Sequence, residues 1–381
     1  MYSQPKRIEF LDSIRGLAAV FVLLYHSVSF QFPQGVFNFI DLPVINIFFD
    51  AGGAVAMFFV LSGFVLSRPY FLPPKPGETQ RKIFLPTFYL RRFTRIWIPW
   101  FFVFCLCAVA AKYLFREYET VPAYIWSAKA QAWHLPLTLT SALRQITLMN
   151  LSDPNGPHLV SADWSLGVEL KASLLIPLFV FLSKGRRIIT LPLIAVLLFV
   201  LSPHGYYVSF VLGVALARGC DYIITLVSSL PQYVEWIILA IGILLYQSRH
   251  VATDLFNLPE SDRGYFWCLA SVGCVMILII CLSNVGIQKV LNHGVLVFLG
   301  KISYSVYLLQ FIVIFCLQPL VVHVLNSRGI TQTAILLPIC LGVSLFPTIA
   351  LAAVTYRFVE IPAIEFGHRM TKLIQKRFLK S

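Results

Sequence analysis

The chain has 381 residues, of which 58% are hydrophobic and only 12% charged, with a formal net charge of +13. Soluble domains carry about 25% charged residues because their surfaces face water, so this composition excludes a soluble globular protein and demands lipid around most of the chain. The positive charge does not indicate nucleic acid, because cytoplasmic loops of membrane proteins collect Lys and Arg and bilayers present anionic headgroups.

A membrane-crossing helix needs about 17–25 mainly apolar residues. Candidate spans lie at residues 11–30, 47–67, 94–115, 163–183, 188–203, 204–218, 233–248, 265–283, 301–325 and 332–356. Lys6 and Arg7 before the first resemble the start of a signal peptide. However, Asp12 and Arg15 interrupt the run and no small-residue cleavage site follows Phe30, so a retained span is expected. The fifth and sixth are short and separated only by Ser202-Pro203-His204-Gly205.

An internal N-terminus puts 22 of the 30 basic residues on the cytoplasmic side and 7 outside, with Lys171 inside the fourth span. The tail is basic like the N-terminus, so the number of spans is even and ten fits better than nine. The expected fold is an all-α polytopic bundle of about ten transmembrane helices with both termini cytoplasmic. Residues 1–360 form one membrane domain and 361–381 a basic cytoplasmic tail. Residues 116–162 make the longest external segment, and 68–93 the main cytoplasmic loop, irregular around Pro76 and Gly77. The eight cysteines show neither zinc spacing nor a disulfide framework, and no metal is expected.

Ionisable groups inside a membrane are costly and usually mark function. In the first span Arg15 and His26 are eleven residues apart, within about 20° of three full turns, so they share a face about 16 Å apart along the axis. Snorkelling to headgroups accounts for Arg15, and packing for a neutral His26. The alternative is that His26 is a general base, the side chain best suited to that role near neutral pH. Ser62-Gly63 makes a small notch in the second span, and close helix packing explains it alone.

Arg92 and Arg95 are i,i+3 neighbours at the start of the third span; they either anchor the cytoplasmic end or hold phosphate or carboxylate oxygens. The fourth span opens with Asp163 and Trp164 and carries Glu169 about two turns in. Glu169 cannot face Lys171 on the same helix, since i,i+2 residues diverge. Ser303, Tyr307 and Gln310, at i, i+4 and i+7, form a polar stripe directed inward.

Six short motifs in order make the chain resemble the membrane acyltransferase 3 family over nearly its whole length. They are Arg15 with His26; Phe58-Phe59 through Ser62-Gly63-Phe64; Arg92 and Arg95 followed by Pro99; Trp164-Ser165-Leu166 through Glu169; Ser303-Tyr304 through Tyr307-Leu308; and Glu360-Ile361-Pro362. The resemblance implies transfer of an acyl group, usually acetyl, from cytoplasmic acyl-CoA to a hydroxyl of an extracytoplasmic or lipid-linked glycan, at the bacterial inner membrane. It implies that Arg15, Arg92, Arg95 and Ser62 serve the donor, with the arginines on the CoA phosphates. His26 would act as general base or transient acyl acceptor, and Glu169 would orient His26 or the sugar. Asp163, Trp164, Tyr307 and Gln310 would line the acceptor side.

The sequence departs from the family at Ala56 and Gln310, where an acidic residue and a His are common, and at Leu170-Lys171-Ala172. These changes leave the donor side intact and bear on acceptor identity. Without an attached esterase-like domain, a sugar or glycolipid acceptor is expected rather than peptidoglycan. A transporter or flippase of a glycolipid or acyl carrier, and a silent membrane scaffold, are the competing readings.

Overall fold

The computed structural model describes residues 8–29, 32, 42–74, 83–118, 131–134, 137–148, 158–184, 190–248 and 263–378, and every regular element among them is helical. Lys6 and Arg7, the loop around Pro76 and Gly77, and residues 379–381 lie outside the described residues. Helix α1, Glu9–Ser29, has Glu9 and Asp12 in its first turn, where the helix dipole favours acids, and runs unbroken past His26. It is followed by α2 (Ala51–Ser67), α3 (Leu85–Tyr113), α4 (Asp163–Leu182), α5 (Thr190–Leu201), α6 (Tyr206–Ser228), α7 (Gln232–Tyr246), α8 (Arg263–Ser283), α9 (Gly294–Ile312), α10 (Thr333–Thr355) and α11 (Ile361–Phe378).

Each expected span meets a helix. Among the described residues eight helices are long and apolar enough to cross a membrane, while α5 and α7 are shorter apolar helices of 12 and 15 residues. The break between α5 and α6 is real: Gly205 adopts φ 74°, a left-handed conformation that favours glycine, and starts α6 afresh.

Several boundaries differ from the hydropathy reading; α6, expected to end at 218, continues to Ser228. Helix α3 starts at Leu85 rather than 94, because Pro86 suits a first helical turn and no helix breaker stands between it and the interior Pro99. At 29 residues it is about 43 Å long, more than the roughly 30 Å hydrocarbon layer, and its arginines stand about two turns inside it. Helix α9 begins at Gly294 rather than 301 and continues through a π-helical turn, Val313–Leu317, into helix Gln318–Ser327. A second π turn, Tyr356–Glu360, joins α10 to α11, so the basic tail is helical through Phe378.

The chain divides into two compact units. The first comprises Met1–Ala18, Gly52–Phe88 and Lys171–Gly300. Here α2 and α6 cross with backbones touching: a Cβ on Gly63 would overlap the carbonyl of Phe210, and one on Gly213 that of Val60. Gly16 and Gly300 bring α1 against the start of α9 in the same way. Small residues at membrane-helix crossings permit this approach. Beside it, Phe59 stacks on Phe210 at 4.9 Å, and the Trp267 indole donates to Ser209 Oγ at 2.9 Å. Arg68 pairs with Asp221 and donates to the carbonyl of Ala217 at 3.3 Å, tying the end of α2 to α6.

The second unit comprises Ala19–Ala51, Tyr89–Leu170 and Lys301–Ser381. One core cluster joins Val28 and Phe32 to Val322, Leu336 and Cys340. Buried polar bonds reinforce it, from Ser27 Oγ to Ser344 Oγ at 2.9 Å and from Gln318 Nε2 to the carbonyl of Ser27 at 2.8 Å.

Within this unit the stretch expected to be an external loop is partly interior. Leu148, Leu159, Val160 and Ala162 are buried, and the Trp97 indole, well along α3, donates to the carbonyl of Ile146 at 2.9 Å. Gln145 at the end of the short helix Leu139–Ile146 accepts the backbone N–H of Leu159 at 2.9 Å, and Gly167 lets Leu148 close on α4. These contacts set where α4 begins, and so where Asp163, Ser165 and Glu169 stand.

Candidate active site

His26 lies on the last turn of α1, its ring 4.9 Å from that of Phe311 and 5.4 Å from that of Tyr25. Its Nδ1 is 3.2 Å from Gln310 Oε1. The Gln310 amide is itself fixed, since Nε2 donates to the carbonyl of Tyr307 at 2.8 Å and only the NH2 side can do so. Oε1 therefore faces the histidine and Nδ1 is the nitrogen that donates to it, which makes Nε2 the nitrogen with the lone pair whenever the ring is neutral. Gln310 thus fixes which imidazole nitrogen donates.

Gln310 is fully buried and Tyr307 and Ser303 are also buried, as expected of an inward stripe. The Tyr307 hydroxyl is 2.7 Å from Ser165 Oγ, linking α9 to the first turn of α4. Two residues earlier Asp163, almost wholly buried, has Oδ1 3.2 Å from His158 Nδ1. Trp164 is half-buried beside them. From His26 through Gln310, Tyr307 and Ser165 the contacts run continuously to the helix turn that begins with Asp163.

Glu169 is paired with Arg92, whose Nη2 donates to its Oε1 at 2.6 Å. The Arg92 side chain is buried and that of Glu169 half-buried, 9% and 16% exposed, so the ion pair is largely shielded from its surroundings. Arg95, one turn along α3, is close enough for its charge to act on Arg92. Tyr304 buttresses this side by donating to the carbonyl of Ile96 at 2.7 Å, and Ser305 donates to the buried carboxylate of Glu360 at 3.1 Å. In the first unit, Arg15 Nη2 reaches Ser62 Oγ at 3.5 Å.

The structure therefore joins His26 to Gln310, Tyr307 to Ser165, Glu169 to Arg92, and Arg15 to Ser62. The orienting partner it gives His26 is Gln310. Sequence reasoning did not single out His158 or Gln145, and it named Tyr304 only within the Ser303–Leu308 motif, without a role. A histidine five residues before Asp163 was the only local signal for the first, and the other two reveal themselves only through contacts remote in sequence. Among the described residues no group of three or more His, Cys, Asp or Glu is placed to hold a metal ion.

These features define a polytopic helical membrane protein with a half-buried imidazole, a base candidate, on the last turn of its first helix. Residues 8–356 match the acyltransferase 3 family, an acyltransferase domain, and the chain belongs to that family. It is 24% identical over 398 residues to proteins of Staphylococcus aureus strains COL and MSSA476, both provisionally named O-acetyltransferases. The match takes in 95% of this chain and 58% of each relative, so the chain spans under two thirds of the length of these relatives. No solved structure matches the chain.

Proposed function

We propose that this protein transfers an acyl group, acetyl in the simplest case, from acyl-CoA to a hydroxyl of an extracytoplasmic or lipid-linked glycan. We place it in the bacterial cytoplasmic membrane with both termini inside. The observation that carries this reading is the His26–Gln310 contact in a member of an acyltransferase family: a ring that donates from Nδ1 to Gln310 leaves Nε2 to act as the base.

Nε2 takes the proton of the acceptor hydroxyl as its oxygen attacks the thioester carbonyl carbon. The tetrahedral intermediate collapses with cleavage of the carbon–sulfur bond, and the CoA sulfur leaves with the proton returned from the imidazolium. Nδ1–H donates to Gln310 throughout, so the ring keeps one orientation while its other nitrogen titrates. Arg92 and Arg95 suit the anionic donor, and Asp163, Trp164 and Tyr307 the polyhydroxyl acceptor. A buried ion pair such as Arg92–Glu169 is weak support for stability and better understood as fixing a charged group in place.

The test uses purified full-length protein in proteoliposomes, with radiolabelled acetyl-CoA and a panel of glycan and glycolipid acceptors. The expected result is donor-dependent label on a glycan with matching release of CoA. Acceptor movement across the bilayer without any acyl donor, and without label, would identify a transporter and sink this reading.

A further inference from the structure

An aromatic wall stands against His26 that the proposed proton transfers do not use. Phe311 follows Gln310 on α9, and its ring centroid lies 4.9 Å from that of His26, tilted by 43°. Behind it at 5.7 Å is Phe315, on the π turn Val313–Leu317, and Trp133 meets Phe315 edge-on at 5.3 Å. All three rings are almost wholly buried. The Trp133 indole donates to the carbonyl of Leu159 at 2.9 Å, and the Leu159 N–H is itself held by Gln145, which pins the last ring to the buried stretch before α4. These residues all belong to the second unit.

Core packing explains three buried rings in a helical bundle, but it does not require the first of them to touch the candidate base. The geometry of the reaction makes that contact matter. A hydroxyl that gives its proton to the imidazole lies within about 2.6–3.2 Å of it, and the acyl carbon it attacks about 3–3.5 Å further on. The acyl chain therefore starts within about 7 Å of Nε2, in the shell that the Phe311 ring partly fills. A ring backed by two more buried rings has no space to retreat into, because close-packed interiors yield little to added methylenes.

We propose that Phe311, held in place by Phe315 and Trp133, sets the length of the acyl group and restricts the donor to short acyl-CoA, acetyl-CoA foremost. A methyl group fits between the acyl carbon and the wall, whereas each further methylene meets the Phe311 ring. Phe311 is thus a specificity-determining residue that acts by volume. The inference rests on the proposed acyl transfer with His26 as base.

The experiment compares kcat/KM for acetyl-, butyryl- and hexanoyl-CoA in the full-length protein in proteoliposomes. The native protein is set beside Phe311→Leu, Phe311→Ala and Phe102→Ala, the last replacing an exposed ring of α3; melting curves confirm that each is folded. The native protein is expected to favour acetyl over hexanoyl at least about a hundredfold, since one methylene in an apolar site is worth about 10- to 200-fold. Phe311→Ala should narrow that ratio at least about tenfold, with Phe311→Leu between and Phe102→Ala at the native ratio. Native protein that uses hexanoyl-CoA as well as acetyl-CoA, or Phe311→Ala that keeps the native ratio, overturns the proposal. A second readout needs neither CoA nor acceptor: the rates at which diethyl pyrocarbonate and the bulkier di-tert-butyl dicarbonate modify His26, followed by mass spectrometry. The bulky reagent should gain on the small one in Phe311→Ala. If no acyl-CoA serves as donor to any variant but this ratio shifts, the wall beside His26 stands and the acyl-transfer reading fails. If the ratio is unchanged as well, both fail.

Discussion

Replacing Glu169 by Gln removes the carboxylate that pairs with the buried Arg92 guanidinium. At the observed 2.6 Å the attraction is about 6 kcal/mol at an effective dielectric near 20. Desolvation of both groups offsets much of it, so the net value of the pair is far smaller than the cost of halving it. Removing one partner of a buried pair costs about 3–5 kcal/mol, whereas replacing both by apolar groups of similar volume is often neutral. Glu169→Gln and Arg92→Met are therefore each expected to lower the unfolding temperature by several degrees, and Arg92→Met/Glu169→Leu to recover most of the loss. The protein carries its own reporters for this assay, because Cys107, Cys220, Cys274, Cys281 and Cys340 are buried and become reactive to a thiol dye on melting. The double variant is also expected to be inactive, separating the fold from the chemistry. Single and double variants that lose stability additively, or singles within about 0.5 kcal/mol of native, would refute the pairing as a buried, interdependent unit.

Gln310→Leu removes the acceptor that selects the imidazole tautomer; a lost hydrogen bond of about 0.5–1.5 kcal/mol should slow kcat roughly two- to tenfold with KM for the donor unchanged, measured by CoA release. Gly63→Val should prevent α2 and α6 from meeting and abolish a monodisperse peak on size exclusion, since the Phe210 carbonyl already occupies the space. Gln145→Leu leaves the buried N–H of Leu159 without its acceptor and should cost about 1–3 kcal/mol in melting. It should also raise KM for the acceptor more than for the donor, because the turn before Asp163 loosens. A reporter fused after Ser381 should be active only on the cytoplasmic side, as the distribution of Lys and Arg requires.

The positions of the spans were legible because a run of apolar residues has few alternatives to a helix in lipid. Their ends were less so. The start of α3 was missed because three arginines close together end an apolar window at Arg91, although no helix breaker stands there. Likewise the helical tail was not foreseen, since a π turn at Tyr356–Glu360 carries α10 onward into a segment with an amphipathic rather than apolar pattern. Within the site, spacing arguments act only along one helix. They put Arg15 and His26 on one face and aligned Ser303, Tyr307 and Gln310, but could not pair residues of different helices. Glu169 and Arg92 are 77 positions apart, and His26 and Gln310 are 284 apart. His158 went unnoticed because its stretch looks like a polar external loop, and only the inward packing of Leu148, Leu159 and Val160 brings it to Asp163.

The central claim is that His26, held by Gln310 with its lone pair on Nε2, is the base of acyl transfer. The direct measurement is the single-turnover rate of transfer by His26→Gln, which preserves side-chain polarity but has no basic nitrogen. The account predicts a fall of about 10²- to 10⁴-fold at unchanged donor affinity and melting temperature, the range expected for loss of a general base. A His26→Gln protein that transfers the acyl group at the native rate would contradict it.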